Sequence, residues 1–242
     1  LTDAGKALLA DARAVALKVD GMRARAKALA GGLEAEVSVV VDVMFPTCVL
    51  VRILEAFQAQ FPTVALRLRI EAMGAVAQLV MDGSCHIGLG GWMTATASVF
   101  ERLAVGHVRL IPVAAPSHAL AQLDGPIASN VAREHVQLVL SDRSDLTQGQ
   151  DFGVLGLRNW RLGDLGSKHA LLRAGLGWGN MPEAMVREDL TQGRLMHLPL
   201  AVDKGENYPI YLIQRADTPP GQAGKWLTER FAEQLPLLEQ VF

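Results

Sequence analysis

Apolar residues recur along the first stretch of the chain at alternating steps of four and three: Leu8, Ala12, Val15, Val19, Met22, Ala26, Leu29 and Leu33. That spacing draws one continuous seam on a helix that pairs with another helix. It predicts a helix from about Thr2 to Ala30, roughly 40 Å long at 1.5 Å per residue. Such a rod is longer than a small domain needs as a cover, although an amphipathic helix lying on its own domain satisfies the same pattern. Gly21 weakens the helix by about 1 kcal/mol, and Gly31 and Gly32 end it.

Beyond Gly32 the pattern changes to short apolar runs alternating with helical periods, which is how βα units and a mainly parallel sheet are written. Val37 to Val41 reads as a buried strand, followed by a helix opened by Pro46 and closed by Pro62. Val64 to Ile70 alternates apolar residues with Arg67 and Arg69, as a strand with one wet face does. Val76, Leu79 and Val80 mark a helix closed by Gly83, and His86 to Gly90 is a third strand. A second set of units begins near residue 110: strands at Val108 to Ala115 and Val136 to Leu140, a helix capped by Ser167 and running to Gly175, another from Pro182 to about Leu190, and a strand at Leu195 to Leu200. Ile210 to Gln214 and a helix from Gln222 to Leu235 complete the chain, with Leu120 to Gly125 and Lys204 to Asn207 as flexible connections.

Composition narrows the function classes. The chain has 242 residues, 50% of them hydrophobic, enough for a substantial core. Apolar stretches stay too short for a membrane span and no export signal is visible, so a cytoplasmic protein is expected. Residues 1 to 33 hold six Lys or Arg against three Asp, a net +3; the formal charge of −2 therefore leaves −5 for the remainder. Only the first segment suits a polyanion. Cys48 and Cys85 lack CxxC spacing and read as reduced, buried thiols.

Catalytic patterns are scarce. GxSxG is missing, the six histidines show no metal-ligand spacing, and the glycines of GLGWG at Gly175 to Gly179 follow a helix instead of opening one. They read as a helix C-cap leading into a buried strand. No cofactor is expected. A binding cleft has more support, because open α/β sheets place ligands beyond the carboxyl ends of their strands, where helix N-termini point. The positions that meet this condition are Asp42, Met44, Phe45 and Thr47 after the first strand, Met73 after the second, Gly91 and Trp92 after the third, and Ser141, Asp142, Ser167 and Lys168 in the second set of units. With Met44, Phe45, Met73 and Trp92 among them, the pocket should be largely apolar with few polar anchors, suited to a small aromatic or partly hydrophobic metabolite.

The opening LTDAGKALLADAR is similar to the recurrent LTxAGxxLLxxA string of LysR-type transcription regulators. The resemblance continues through FQAQFPTVALRL, LVMDGSCHIGLGGW, ERLAVGHVRLIPVAAPSHALA and SKHALLRAGLGWGNMPEAMVREDLTQGRLMHLPL. Trp178, Asn180 and Met181 stand where the family more often has smaller apolar residues. The resemblance implies an α/β fold of two lobes, like type II periplasmic binding proteins, preceded by a long linker helix. The implied division is 1–33 for the linker and dimerising helix, 34–109 with 207–242 for the first lobe, and 110–206 for the second. It also implies a small-molecule effector between the lobes, assembly as a homodimer or tetramer, and DNA contacted by a helix-turn-helix that lies outside this chain. The family often holds an effector carboxylate with Ser or Thr at the mouth of the first helix; here Asp42, Met44 and Phe45 occupy that place, with Thr47 nearby. A transport-type solute-binding protein is the competing reading. It shares the fold but calls for an export signal and no basic heptad helix.

Overall fold

A computed structural model describes residues 2–91, 99–141, 143–147, 152–201 and 206–238. Helix α1 spans Asp3–Ala30, and Gly32 ends it with a φ of +83°, a conformation glycine adopts without penalty. Every residue from Asp11 to Arg23 is exposed. Leu8, Val15 and Met22 of the seam are 68%, 61% and 71% accessible. This helix is therefore not a lid on its own domain.

Among the described residues the body is a nine-stranded mixed sheet. β1 (Glu36–Asp42), α2 (Thr47–Gln60), β2 (Ala65–Glu71), α3 (Gly74–Met81) and β3 (Ile87–Gly90) form right at the start a parallel group ordered β2-β1-β3. β1 is buried on both faces, hence its continuous valine run; β2 is an edge strand and alternates. β4 (Phe100–Ala114) and β9 (Glu206–Arg215) are long antiparallel partners that cross the molecule. Beyond Leu110, β4 leaves β9 and pairs with β7 (Trp178–Pro182). The sheet continues through β5 (Gln137–Leu140) to β6 (Asn159–Leu162), covered by α5 (Leu165–Arg173) and α6 (Glu183–Thr191), while β8 (Met196–His197) pairs with β4. A short helix α4 (Ser129–Arg133) precedes β5, and α7 (Gln222–Leu238) packs back on α2 and β4.

Several local expectations need correction. Asp164 caps α5, its carboxylate accepting the Ser167 N–H, so Ser167 itself sits exposed in the first turn. Residues 119–122 form a 3₁₀ turn with Leu120 fully buried and the His118 imidazole accepting the Leu120 N–H, so that connection is anchored at its start. Of the other connection, Glu206 and Asn207 belong to β9, and Lys204 and Gly205 lie outside the described residues. β6 and α4 escaped the pattern because four or five residues with one wet face carry too little periodicity. Residues 100–107 of β4 did so because most of them are exposed and show no apolar alternation. Cys85 is buried, but Cys48 is exposed on α2.

The junction after α1 is tied to the body by Glu34. Its two carboxylate oxygens accept the Ala223 and Gly224 N–H groups at 2.8 and 3.1 Å, capping α7. A Cβ on Gly221 would stand 2.5 Å from the Glu34 carboxyl carbon, so glycine there makes the approach possible. Glu34→Ala should lower stability by about 1 kcal/mol, the usual worth of an N-cap, read as a shift in urea midpoint; an unchanged midpoint rules the cap out.

Candidate functional site

At the carboxyl end of β1, Asp42 is 1% exposed and gathers donors from four segments. Its Oδ1 accepts the Met44 N–H at 2.8 Å, and its Oδ2 accepts the Met73 N–H at 3.1 Å and the Tyr208 hydroxyl at 2.9 Å. The Gly91 backbone N–H also contributes. Burial pushes this carboxyl up to about 6 against those four hydrogen bonds, which pull it down. All four partners donate, so at neutral pH Asp42 serves as a buried carboxylate binding together the loops after β1, β2 and β3 and strand β9. One of those loops is strained: Met73 has φ +43° and ψ −116°, outside the region L-residues favour. Such a backbone costs about 1–3 kcal/mol and persists where surroundings over-determine it, here through the hydrogen bond to Asp42.

Above this hub lies a cavity of about 170 Å³. Met44, Met73 and Gly74 line it from the first group of strands, and Gln137 to Leu140, Lys168 and Asn180 from the second. Leu110 of β4 and Asn207, Tyr208 and Pro209 of β9 supply the floor between them, with Thr147, Phe152 and Gly153 closing one side. Gln137, 2% exposed, pins that side: its Oε1 accepts the Leu155 and Gly156 N–H groups and its Nε2 donates to the Gly153 carbonyl. Lys168 is the single charged side chain among the described lining residues. It is 4% exposed, and its Nζ donates to the Asn180 carbonyl at 2.7 Å. Burial lowers it from 10.5 to about 8. Gly179 leaves it room, since a Cβ there would stand 3.2 Å from the Lys168 Cε and 2.6 Å from the Leu138 carbonyl oxygen.

Of the candidates read from the sequence, Met44, Met73 and Lys168 line the cavity. Asp42 lies beneath it with its oxygens already engaged, and Phe45 is in the core, edge-on to Phe231 at 5.8 Å. Thr47 is exposed at the first residue of α2 and Ser167 is exposed on α5. Gly91 sits under Tyr208, and Ser141 bonds the Leu162 carbonyl instead of facing the cavity. Trp92 and Asp142 lie outside the described residues. Gln137, Asn180 and Tyr208 were missed. Gln137 had a signal, as a polar residue in an otherwise apolar strand; Tyr208 had none, since its role depends on Asp42, 166 positions away. Trp178 fills a second core with Leu120, Ile127 and Leu198, its Nε1 donating to the Ala132 carbonyl. Among the described residues no group of three His, Cys, Asp or Glu is placed to hold a metal ion, and no helix is long and apolar enough to cross a membrane.

The model of the LysR substrate binding domain matches residues 30–236. The chain belongs to that family. Among its curated relatives is the HTH-type transcriptional activator AllS of Klebsiella pneumoniae, 26% identical over 201 residues, covering 81% of this chain and 74% of that protein. Solved structures share its fold. The effector-binding domain of QuiR in complex with shikimate has a TM-score of 0.66 at 15% identity, covering 86% of this chain and 98% of that one. Full-length LysG from Corynebacterium glutamicum, with bound effector Arg, has a TM-score of 0.64 at 19% identity, covering 97% and 79%. The chain is thus a LysR-type effector-binding domain, of the α/β fold shared with type II periplasmic binding proteins, behind a long helix.

Proposed function

We propose that this chain is the sensing part of a cytoplasmic transcription regulator, with lobes at 34–109 plus 207–242 and at 110–206 that hold a small metabolite in the cavity between them. The observation that carries this reading is the composition of the cavity wall: Met44, Met73 and Gly74 face Lys168 and Asn180 across the two strands, β4 and β9, that run from one half to the other. A ligand touching both halves binds one mutual arrangement better than another, and that difference in affinity is what shifts a conformational equilibrium. The relatives are named transcriptional regulators, which supports signalling to DNA through a reading segment over transport. A thermal-shift screen of small metabolites should find stabilising compounds, worth about 2.7 kcal/mol at 100 times their Kd. Leu140→Trp, which fills the cavity, should remove the response. A library without one stabilising compound, or stabilisation that survives the filled cavity, defeats the proposal.

The exposed seam of α1 supports pairing of two copies, since monomers seldom leave such a stripe in water. Val15→Asp with Met22→Asp should shift sedimentation from dimer or tetramer towards monomer; an unchanged mass excludes the seam as the contact.

A further inference from the structure

We infer that His118 and His135 form an acid-operated latch: at neutral pH the His118 ring holds residues 119–122 closed over the second core, and proton uptake by the pair releases them. The latch stands apart from the proposed function, since it needs no ligand.

The cap at His118 works in one protonation state. Its Nδ1 accepts the Leu120 N–H at 3.2 Å, so the ring is neutral with its proton on Nε2. An imidazolium carries a proton on both nitrogens and has no acceptor to offer. Protonating His118 therefore ends that hydrogen bond and leaves the Leu120 N–H without its acceptor. A second imidazole makes the charge harder to hold: His135 meets His118 edge-on, with ring centroids 5.3 Å apart. Burial, and after it His135, lowers the proton affinity of His118 below its ordinary 6.5. Of the other described charged groups on the neighbouring segments, Arg133, Glu134 and Asp124 lie exposed, and Arg173 at the end of α5 pairs with Asp189.

Leu120 is fully buried in one cluster with Trp178, Ile127, Ala132 and Leu198. The Ala132 carbonyl accepts both the Trp178 Nε1–H at 3.1 Å and the His135 N–H at 3.2 Å, which joins the indole to the turn that carries the second ring. Trp178 opens β7, and two residues on is Asn180, whose carbonyl holds Lys168 at the cavity wall. Release of the turn thus loosens the strand beside the cavity.

As pH falls through 6.5, the unfolded chain takes up the proton at position 118 before the folded chain does, so stability present above that pH is lost below it. Asp42, pushed up to about 6 by burial, works in the opposite direction, because there the folded chain takes the proton first. Two proteins that both retain Asp42 share that contribution, and it cancels in their difference.

The test compares melting temperatures of the wild type and His118→Asn from about pH 7.5 to about pH 5.5. Asparagine keeps a side-chain acceptor for the cap and does not titrate. Relative to the variant, the wild type should lose about 2–4 °C on going to the acid end. NMR of the histidine rings reads the same event in the wild type, whether or not the variant folds. His118 should hold its neutral proton on Nε2 and titrate below 6.5, and amide exchange at Leu120 and Trp178, taken relative to intrinsic rates, should quicken as it does. In His135→Gln the titration of His118 should move up, because the second ring is gone. Parallel melting curves, a ring that titrates at or above 6.5, a neutral ring with its proton on Nδ1, or exchange at Leu120 that ignores the titration overturns the latch. A His118 titration indifferent to His135→Gln overturns the pairing of the two rings.

Discussion

Replacing Lys168 with methionine should make the protein more stable, by about 2 kcal/mol. Methionine fills nearly the same volume and brings no charge. A lysine drawn down from 10.5 to about 8 by burial weakens the folded state at neutral pH by about 3 kcal/mol. The lost hydrogen bond to the Asn180 carbonyl returns about 1 kcal/mol of that. For a domain of this size each kcal/mol moves the melting temperature by about 2–4 °C, so the variant should melt several degrees higher. The difference must also depend on pH with a definite sign. Between about pH 8 and 10.5 the unfolded chain keeps the lysine proton and the folded chain does not, so wild-type stability rises with pH through that window. The two melting temperatures should therefore converge there. Equal values at pH 7, or a gap that persists to high pH, show that burial does not penalise the ammonium.

Gly91→Ala should be a strongly damaging single-methyl addition near the site. A Cβ at that position would stand 2.1 Å from the Tyr208 hydroxyl oxygen and 2.2 Å from its Cζ. No rotation of the alanine relieves this, because Cβ is fixed by the backbone; Tyr208 must move and surrender its hydrogen bond to Asp42. Overpacking costs about 1–3 kcal/mol and a hydrogen bond to a buried charge about 1.5–3, so a loss of roughly 3–5 kcal/mol is expected in urea unfolding. The cause can be isolated by a double-mutant cycle. In a Tyr208→Leu background, where the ring and hydroxyl are gone, the added methyl should cost under about 1 kcal/mol. Strict additivity of the two substitutions would mean that the clash lies elsewhere.

Much of the architecture was legible because periodicity is a property of the chain's own geometry. The four-three spacing from Leu8 to Leu29 became α1, and the valine run became β1, since helix and strand impose those intervals on any segment that must bury one face or two; Leu33, the last residue of the expected seam, lies beyond the helix and packs on the core. The glycine at 175 takes a φ of +76° just beyond α5, as a helix stop requires. Local reading failed where an element was short, as with β6, or where several side chains competed for one task. Asp164 and Ser167 both suit a cap, and only the start of α5 shows that Asp164 takes it.

The site divided along the same line. Which strand ends meet at the cleft follows from the order of βα units, so Met44, Met73 and Lys168 were within reach of an argument from residue order. Asp42 looked like a ligand contact and is instead a clamp, because its partners at Met73, Gly91 and Tyr208 come from segments far along the chain. The long rod, the parallel βα units and the family likeness were thus written in neighbouring residues, whose spacing records the local backbone directly. The burial of one lysine and the shape of the space before it arise only when β5, β7 and α5 pack together, with glycine at 179 making room, and contacts between distant segments leave no periodic trace in the sequence.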